Sequence, residues 1–310
     1  MHATSALVLQ VGANSHSSFA AHQHDPVPLL IKQGWHAVLI EPQPTAAASL
    51  RKKHGANPHV RVVNAAVCLD AAASAMPLFF VNASRTHGSN DSDTRCLGSE
   101  NDVEATLSGM ASFSEAHIIK HERFYRYTPS QCARCAQRLS RPLPPTCMRR
   151  VFSANLDRIS VACAPFTRSL IASLSSTFSD GGGVAGSKGL GERVSEQSLA
   201  AGALVVDAEG ADALIVERYL ESGLPLPSAI VYESAHLRSS SKRRLTARLA
   251  QVGMAQYEPR SLRRMRPPAS IPSWLWRGLR LALSRVEARD NIVWLRNDTN
   301  ILGRRHAGME

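Results

Sequence analysis

A doubly wound, mostly parallel α/β sheet is the fold class this sequence predicts, and three observations predict it. Three strand-and-helix units follow one another within residues 6–66, the apolar residues Leu204, Val205 and Val206 run together, and strand and helix patterns resume from Ala203 onward. Alternating strands and helices build parallel sheets covered on both faces, and strands of such sheets read as unbroken apolar runs.

Ala6–Val11 is the first predicted strand and ends at Gly12-Ala13-Asn14. Glycine there permits a tight turn and close approach of the backbone to a ligand. Asp25-Pro26 opens a helix carrying Val27, Leu29, Leu30 and Ile31, and Gly34 closes it. Ala37–Ile40 is the second strand and finishes in Glu41-Pro42. Thr45–His54 follows as a short helix with basic residues in its last turn, where the macrodipole favours them. Val60–Val63 is the third strand and ends at Asn64-Ala65-Ala66.

Residues 68–202 interrupt the pattern and read as a long loop-rich insertion within one domain spanning residues 1–310. Leu78–Val81 is a candidate strand, residues 82–108 a long polar loop, and Val161–Leu174 the helix before the fourth strand of the sheet. Residues 175–202 are rich in glycine and serine and read as a flexible linker. The sheet resumes at Ala203–Val206, whose end carries Asp207 and Glu209, and Ala211–Leu220 is the helix that follows. Ser228–Tyr232 is the fifth strand, with Glu233 at its end and His236 three residues on. A helix over Lys242–Leu249 and a strand near Val252–Tyr257 come next. Asn291–Leu295 and Asn300–Leu302 are expected to close the sheet as an antiparallel hairpin, leaving 304–310 as a loose tail.

Totals narrow the classes. The chain of 310 residues carries 36 Lys+Arg against 25 Asp+Glu, a balance compatible with anionic partners but proof of none. Leu7–Val11 is too short for the apolar core of a signal peptide, so a preceding anchor or targeting segment is expected to be absent or to lie before this sequence. No run reaches the roughly 20 apolar residues of a membrane helix; Trp274–Leu283 is interrupted by Arg277 and Arg280. The six cysteines form no small-scaffold disulfide pattern, which makes a reducing, cytoplasmic compartment the expectation. His117, His121, Cys132, Cys135 and Cys147 hold half of a zinc knuckle, but their spacing matches no finger and Arg134, Arg138 and Arg141 crowd it. They are read as ordinary side chains, and no metal is assigned.

Each strand end carries one feature suited to a ligand. An acid after the second strand of a nucleotide-binding unit accepts hydrogen bonds from ribose hydroxyls. The dinucleotide fingerprint needs three glycines for the pyrophosphate, and only Gly12 is present. A ligand with ribose and adenine but no pyrophosphate fits, and S-adenosylmethionine is such a ligand. Leu9–Asn14, Asp25–Trp35, Val38–Pro44, Val63–Val67, Val206–Asp212 and Ile230–Leu237 together resemble the FkbM-type methyltransferases, in the right order and at plausible spacing. Met110–His121 is similar to that family's short helical segment beside the active-site mouth.

The resemblance implies a Rossmann-like methyltransferase sheet and O-methylation of a hydroxyl on a sugar or other small or glycan acceptor. It places Gly12 and Asn14 at the methionine part of S-adenosylmethionine, Glu41 at the ribose, and Asn64 with Ala65 near the adenine. Asp207 faces the cofactor's ammonium or, with Glu209 and Glu233, a divalent ion. His236 is the candidate base by its ordinary pKa, with Glu209 or Glu233 orienting it. Each residue has a bland alternative: Gly12 a turn, Glu41 a helix cap, Asn64 a local side-chain turn, His236 a helix-start residue. Gln10 stands where relatives carry an acid, and Ser15-His16-Ser17 where they carry glycine, which keeps a non-catalytic binding module open. RNA or protein methylation would use the basic run 238–266, which lacks the interleaved aromatics of a nucleic-acid platform.

Overall fold

Strand β1 (Leu7–Val11) is buried along its whole length and lies at the middle of the main sheet. The computed structural model describes residues 6–13, 25–70, 73–81, 111–121, 133, 136–137, 156–167, 201–235, 237–268, 271–284, 286 and 291–296. Helix α1 (Val27–Lys32) leads from β1 to β2 (His36–Ile40), and α2 (Pro44–His54) leads from β2 to β3 (Val60–Val63). After the insertion come β8 (Ala201–Val206), α4 (Asp212–Glu221), β9 (Ala229–Glu233), α5 (Ser239–Gln251) and β10 (Met254–Tyr257). A 3-10 helix (Pro259–Arg264), α6 (Ser273–Leu283) and β11 (Asn291–Arg296) complete the described chain.

The seven strands lie in the order β10-β11-β9-β8-β1-β2-β3. All neighbouring pairs from β3 to β9 are parallel, while β11 runs antiparallel to both β9 and β10. Numbered by appearance, the five parallel strands follow the order 3-2-1-4-5 of a doubly wound sheet, which reverses direction between β1 and β8. The closing antiparallel pair is β10 with β11; Asn300–Leu302, expected to fill that place, lies outside the described residues, as does 304–310.

Side chains alternate across this sheet, as the period of two requires. Val8, Leu39, Val205 and Val231 face one apolar layer with Val27 and Leu30 of α1, Leu50 of α2, and Leu275 and Leu279 of α6. Leu9, Val38, Leu204 and Ile230 face the other with Ile215 and Val216 of α4 and Leu245 and Leu249 of α5. Burial on both faces explains why β1 and β8 read as continuous apolar runs. Among the described residues no helix is long and apolar enough to cross a membrane.

The described residues of the insertion build a second sheet. Strands β4 (Ala66–Val67), β5 (Ala75–Val81), β6 (Ala111–Ser112) and β7 (Leu156–Ala164) form a second sheet in the order β4-β7-β5-β6, and α3 (Glu115–His121) follows β6. Its centre is the antiparallel pair β5–β7, running from Ala75 opposite Ala162 to Val81 opposite Leu156. The helix expected over Val161–Leu174 is therefore corrected in its described part: residues 156–164 are a strand, while 168–174 lie outside the described residues. Alternation decided it, since Ile159, Val161 and Cys163 turn inward while Arg158, Ser160 and Ala162 are exposed. Pro165 bars a helix from continuing through this point. The segments 82–108 and 175–200 lie outside the described residues.

A disulfide joins Cys68 to Cys163 across this second sheet. Nothing in the cysteine spacing indicates it, and it weighs against the reducing compartment expected above, because such bonds persist under oxidising conditions. The bond closes a long loop, its partners lying 95 positions apart in the chain. Reduction, or Cys68→Ser with Cys163→Ser, is expected to lower stability by about 2–4 kcal/mol, read as a shift in denaturant midpoint at unchanged slope.

Candidate functional site

Hydrogen bonds carry the strand register into the loops at the carboxyl edge of the main sheet. Gly12 N donates to Ile40 O (2.9 Å), Asp207 N to Val11 O (2.9 Å) and Glu41 N to Val63 O (2.9 Å). Gly12, Glu41, Asn64 and Asp207 are thereby aligned along one edge, with Glu233 following at the end of β9. The reversal of strand order places Gly12 and Asp207 side by side at the point where doubly wound sheets hold ligands.

Gly12 has φ +78°, and a Cβ added there would lie 1.7 Å from the Asp207 carbonyl oxygen. The close approach read from the glycine is thus made by the β8 backbone of the chain itself. Gln10, buried in β1, donates from Nε2 to Asp25 Oδ2 (3.1 Å), while Asp25 Oδ1 accepts from Val27 N (2.9 Å) at the start of α1. A carboxylate is therefore supplied beside β1 from another segment, held by the Gln10 amide.

Glu41 is buried, and its Oε1 accepts from Gln43 N (2.8 Å), bridging the turn into α2. Burial raises its pKa from 4.5 to about 7, against the opposing pull of the Gln43 amide. Asn64 donates from Nδ2 to Glu41 O (2.9 Å) and Pro42 O (3.1 Å) and so pins the exit of β2. Its amide nitrogen serves the backbone rather than an adenine, while Ala65 is buried beside it. Glu41 thus braces the turn before α2 without capping its first turn, and the Asn64 bonds reach back to the end of β2 rather than forming a local side-chain turn.

The loop after β8 is built on Asp212. This carboxylate is fully buried; Oδ1 accepts from Ala208 N (3.4 Å) and Glu233 N (3.3 Å), and Oδ2 from Gly210 N (3.2 Å). It ties the 207–211 turn to the end of β9. Burial and then the charge of Glu233 raise its pKa to about 7, opposed by its amide partners. Glu209 sits at φ +48° and Gly210 at φ +94°. A left-handed glutamate costs about 1–2 kcal/mol and marks a position held by its surroundings. One support is Ser112, buried in the second sheet, whose Oγ donates to Glu209 O (3.1 Å).

Asp207 completes the cluster. Burial by the surrounding protein, then the charges of Glu209, Glu233, Asp212 and Asp25, raise its pKa well above the ordinary carboxylate range. Its side chain is nonetheless exposed to water. Water at such a position weakens both the burial penalty and the repulsion between the carboxylates, and both act in the same, upward direction. Five acids from three separate segments thus surround the β1–β8–β9 edge. Asp25 is expected from the sequence only to open a helix, which its bond from Val27 N bears out, and Asp212 shows only as an acid just after a glycine turn.

Asn14 and His236 lie outside the described residues, as do Cys132, Cys135 and Cys147 and the side chains of His117 and His121. Among the described residues no three of His, Cys, Asp and Glu stand together as metal ligands.

The raised pKa of Glu41 has a measurable consequence. A carboxyl that keeps its proton to about pH 7 when folded and loses it near 4.5 when unfolded stabilises the fold fully below 4.5. That contribution is lost as pH rises through 7. Wild type is expected to lose about 3 kcal/mol relative to Glu41→Gln between pH 4.5 and pH 8, measured by chemical denaturation of both proteins across that range.

No family model, curated protein or solved structure matches this chain.

Proposed function

We propose that the chain is an S-adenosylmethionine-dependent methyltransferase acting on a hydroxyl of a sugar or other small or glycan acceptor. The observation that carries this reading is the crowding of Asp25, Asp207, Glu209, Asp212 and Glu233 around the point where the strand order reverses. Carboxylates forced together favour a cationic ligand, which relieves their repulsion. S-adenosylmethionine carries positive charge on both its sulfonium and its ammonium group. A dinucleotide would bring a pyrophosphate into the same field and be repelled. The antiparallel closure of the 3-2-1-4-5 sheet is in keeping with the proposed Rossmann-like methyltransferase architecture.

Bound S-adenosylmethionine supplies an electrophilic methyl group on a sulfonium leaving group. Around it, Asp207 pairs with the ammonium, and Glu41 offers Oε2 to the ribose while Oε1 holds α2. The hydroxyl proton passes to a base, for which His236 remains the candidate by its chemistry. In-line placement of the two reactants supplies much of the acceleration. The Cys68–Cys163 disulfide supports an oxidising compartment over the cytoplasm.

A second reading has its own support. Glu41 and Asn64 are engaged with the backbone of the turn between β2 and α2, and Gln10 is engaged with Asp25. A binding module that retained this fold without turnover would look the same.

Titration calorimetry with S-adenosylmethionine tests the proposal. Binding is expected to release protons as ligand charge lowers the pKa values of the cluster, and to tighten as pH rises through 7. S-adenosylhomocysteine, which lacks the sulfonium charge, is expected to show a weaker pH dependence. Absence of binding heat at millimolar ligand would retire the cofactor. Binding without methyl transfer to any hydroxylated acceptor would leave the module. For His236→Ala, cofactor affinity is expected to persist while turnover falls at least about 100-fold.

A further inference from the structure

The stretch from Pro259 to Ser284 contains six arginines and not one Asp or Glu. The fold gathers them on one side. The 3-10 helix carrying Arg260, Arg263 and Arg264 packs on α6, which carries Arg277 and Arg280, and Arg266 follows the 3-10 helix. All six are exposed, and none has an ion-pair partner among the described residues. The layer beneath extends the pattern, since α6 packs on α1, which has no acid and exposes Lys32. On the opposite layer, by contrast, Arg244 of α5 is paired with Glu217 of α4 at 2.7 Å.

The position of these arginines relative to the candidate site is set by the sheet. β10 runs parallel to β9, because each is antiparallel to β11, so the 3-10 helix leaves the sheet at the same edge that carries Glu233. A cleft of about 240 Å³ opens there between Gln256, Tyr257, Glu258, Pro259, Asn291 and Ile292. Asn291 stands opposite Glu233 across the β9–β11 ladder. The cleft therefore lies between the start of the 3-10 helix and the carboxyl end of β9.

We propose that the arginine face of the 3-10 helix and α6 binds a sulfated or uronate-bearing glycan, which runs through the Gln256–Asn291 cleft towards the end of β9 and presents its acceptor hydroxyl beyond it. The proposal rests on the hydroxyl-acceptor reading above. Guanidinium groups fit sulfate and carboxylate in two-bonded pairs, which lysines do not. A glycan also offers the polar, hydroxyl-rich end that Gln256, Asn291 and Tyr257 can hold by hydrogen bonds. A single-stranded nucleic acid would need stacking platforms, and aromatics make up only 5% of the chain. The Cys68–Cys163 disulfide also favours a compartment where anionic glycans outnumber nucleic acids.

The test uses the full chain on immobilised heparin, with no S-adenosylmethionine present, so that it is independent of cofactor binding. Two triple variants change net charge equally: R263E/R264E/R266E on the proposed face, and K242E/R243E/R248E on α5. R277E/R280E provides an independent change on α6 if the first variant fails to fold, as judged by its melting curve. Affinity is expected to fall at least about tenfold at 0.15 M salt for either change on the proposed face, and by less than threefold for the α5 variant. Equal losses on the two layers would mean that overall charge alone retains the protein, and would overturn the proposal. So would tighter binding to RNA or to vesicles of anionic lipid than to heparin at the same salt. Because no cofactor takes part, a failed S-adenosylmethionine titration with intact, face-specific heparin binding would sink the enzyme reading and leave the glycan surface standing.

Discussion

Gly12→Ala is expected to destabilise the protein by on the order of 4 kcal/mol or more and to abolish ligand binding at the β1–β8 edge. Two costs add. The φ of +78° belongs to the left-handed region, and the new methyl group would meet the Asp207 carbonyl at 1.7 Å. That oxygen is backbone, and it cannot swing away, because Asp207 N is bonded to Val11 O. Gly34 separates the two costs: its φ is +84°, yet a Cβ there meets nothing within 4 Å. Gly34→Ala is therefore expected to cost only about 1–2 kcal/mol. Urea denaturation of the two variants beside wild type measures the difference. Equal losses would show that the contact between β1 and β8 is not the reason for the glycine.

Asp212→Ala is expected to cost about 3 kcal/mol. It would leave the amides of Ala208, Gly210 and Glu233 without their acceptor, and it would also relieve the burial of a carboxyl whose pKa is raised. Orphaned amides outweigh that relief, because three donors depend on one side chain. Asp212→Asn keeps the acceptor for Ala208 and Glu233 but turns an NH₂ toward the Gly210 amide, for a loss of about 1 kcal/mol at pH 5. The sign of the pH effect follows from the raised pKa of about 7. Wild type holds the full benefit of a protonated Asp212 below pH 4 and loses it as pH rises through 7. The asparagine variant, which has no carboxyl to titrate, is thus expected to match wild type and then exceed it as pH rises to 8, and a gap that widens with pH in favour of wild type would contradict this account. Release of the 207–211 turn should also show as faster amide exchange at Ala208 and Gly210.

Much of the main sheet was legible because burial on both faces leaves a simple mark. Leu7–Val11 and Leu204–Val206 have no polar alternation to confuse with an amphipathic helix, and Gly34 and Gly223 punctuate the helices that follow. The second sheet was illegible for a physical reason. β5 and β7 recognise each other across a long gap, and the apolar, small residues of Val161–Leu174 suit a helix as well as a strand until Pro165 is weighed. The Cys68–Cys163 bond is hidden in the same way, since its partners meet only through that pairing.

In the site, the acids at strand ends stood out, and Glu41, Asp207 and Glu233 do share one edge. What they do there was less visible. Whether Glu41 braces a turn or meets a ligand depends on where Gln43 N points, which no spacing reveals. Asp25 and Asp212 were missed because their partners, Gln10 in one case and three backbone amides in the other, come near only in the folded chain.

The central ladder has a cost during synthesis. Leu9 pairs with Leu204, so β1 emerges from the ribosome long before its inner neighbour exists. At about 5–20 residues per second the wait is on the order of 10–40 seconds. Throughout it, a nascent β1–β2–β3 sheet presents a strand that is apolar except for Gln10 as an open edge. Chaperone capture of ribosome-bound chains truncated between β3 and β8 should therefore exceed capture of chains released after β9.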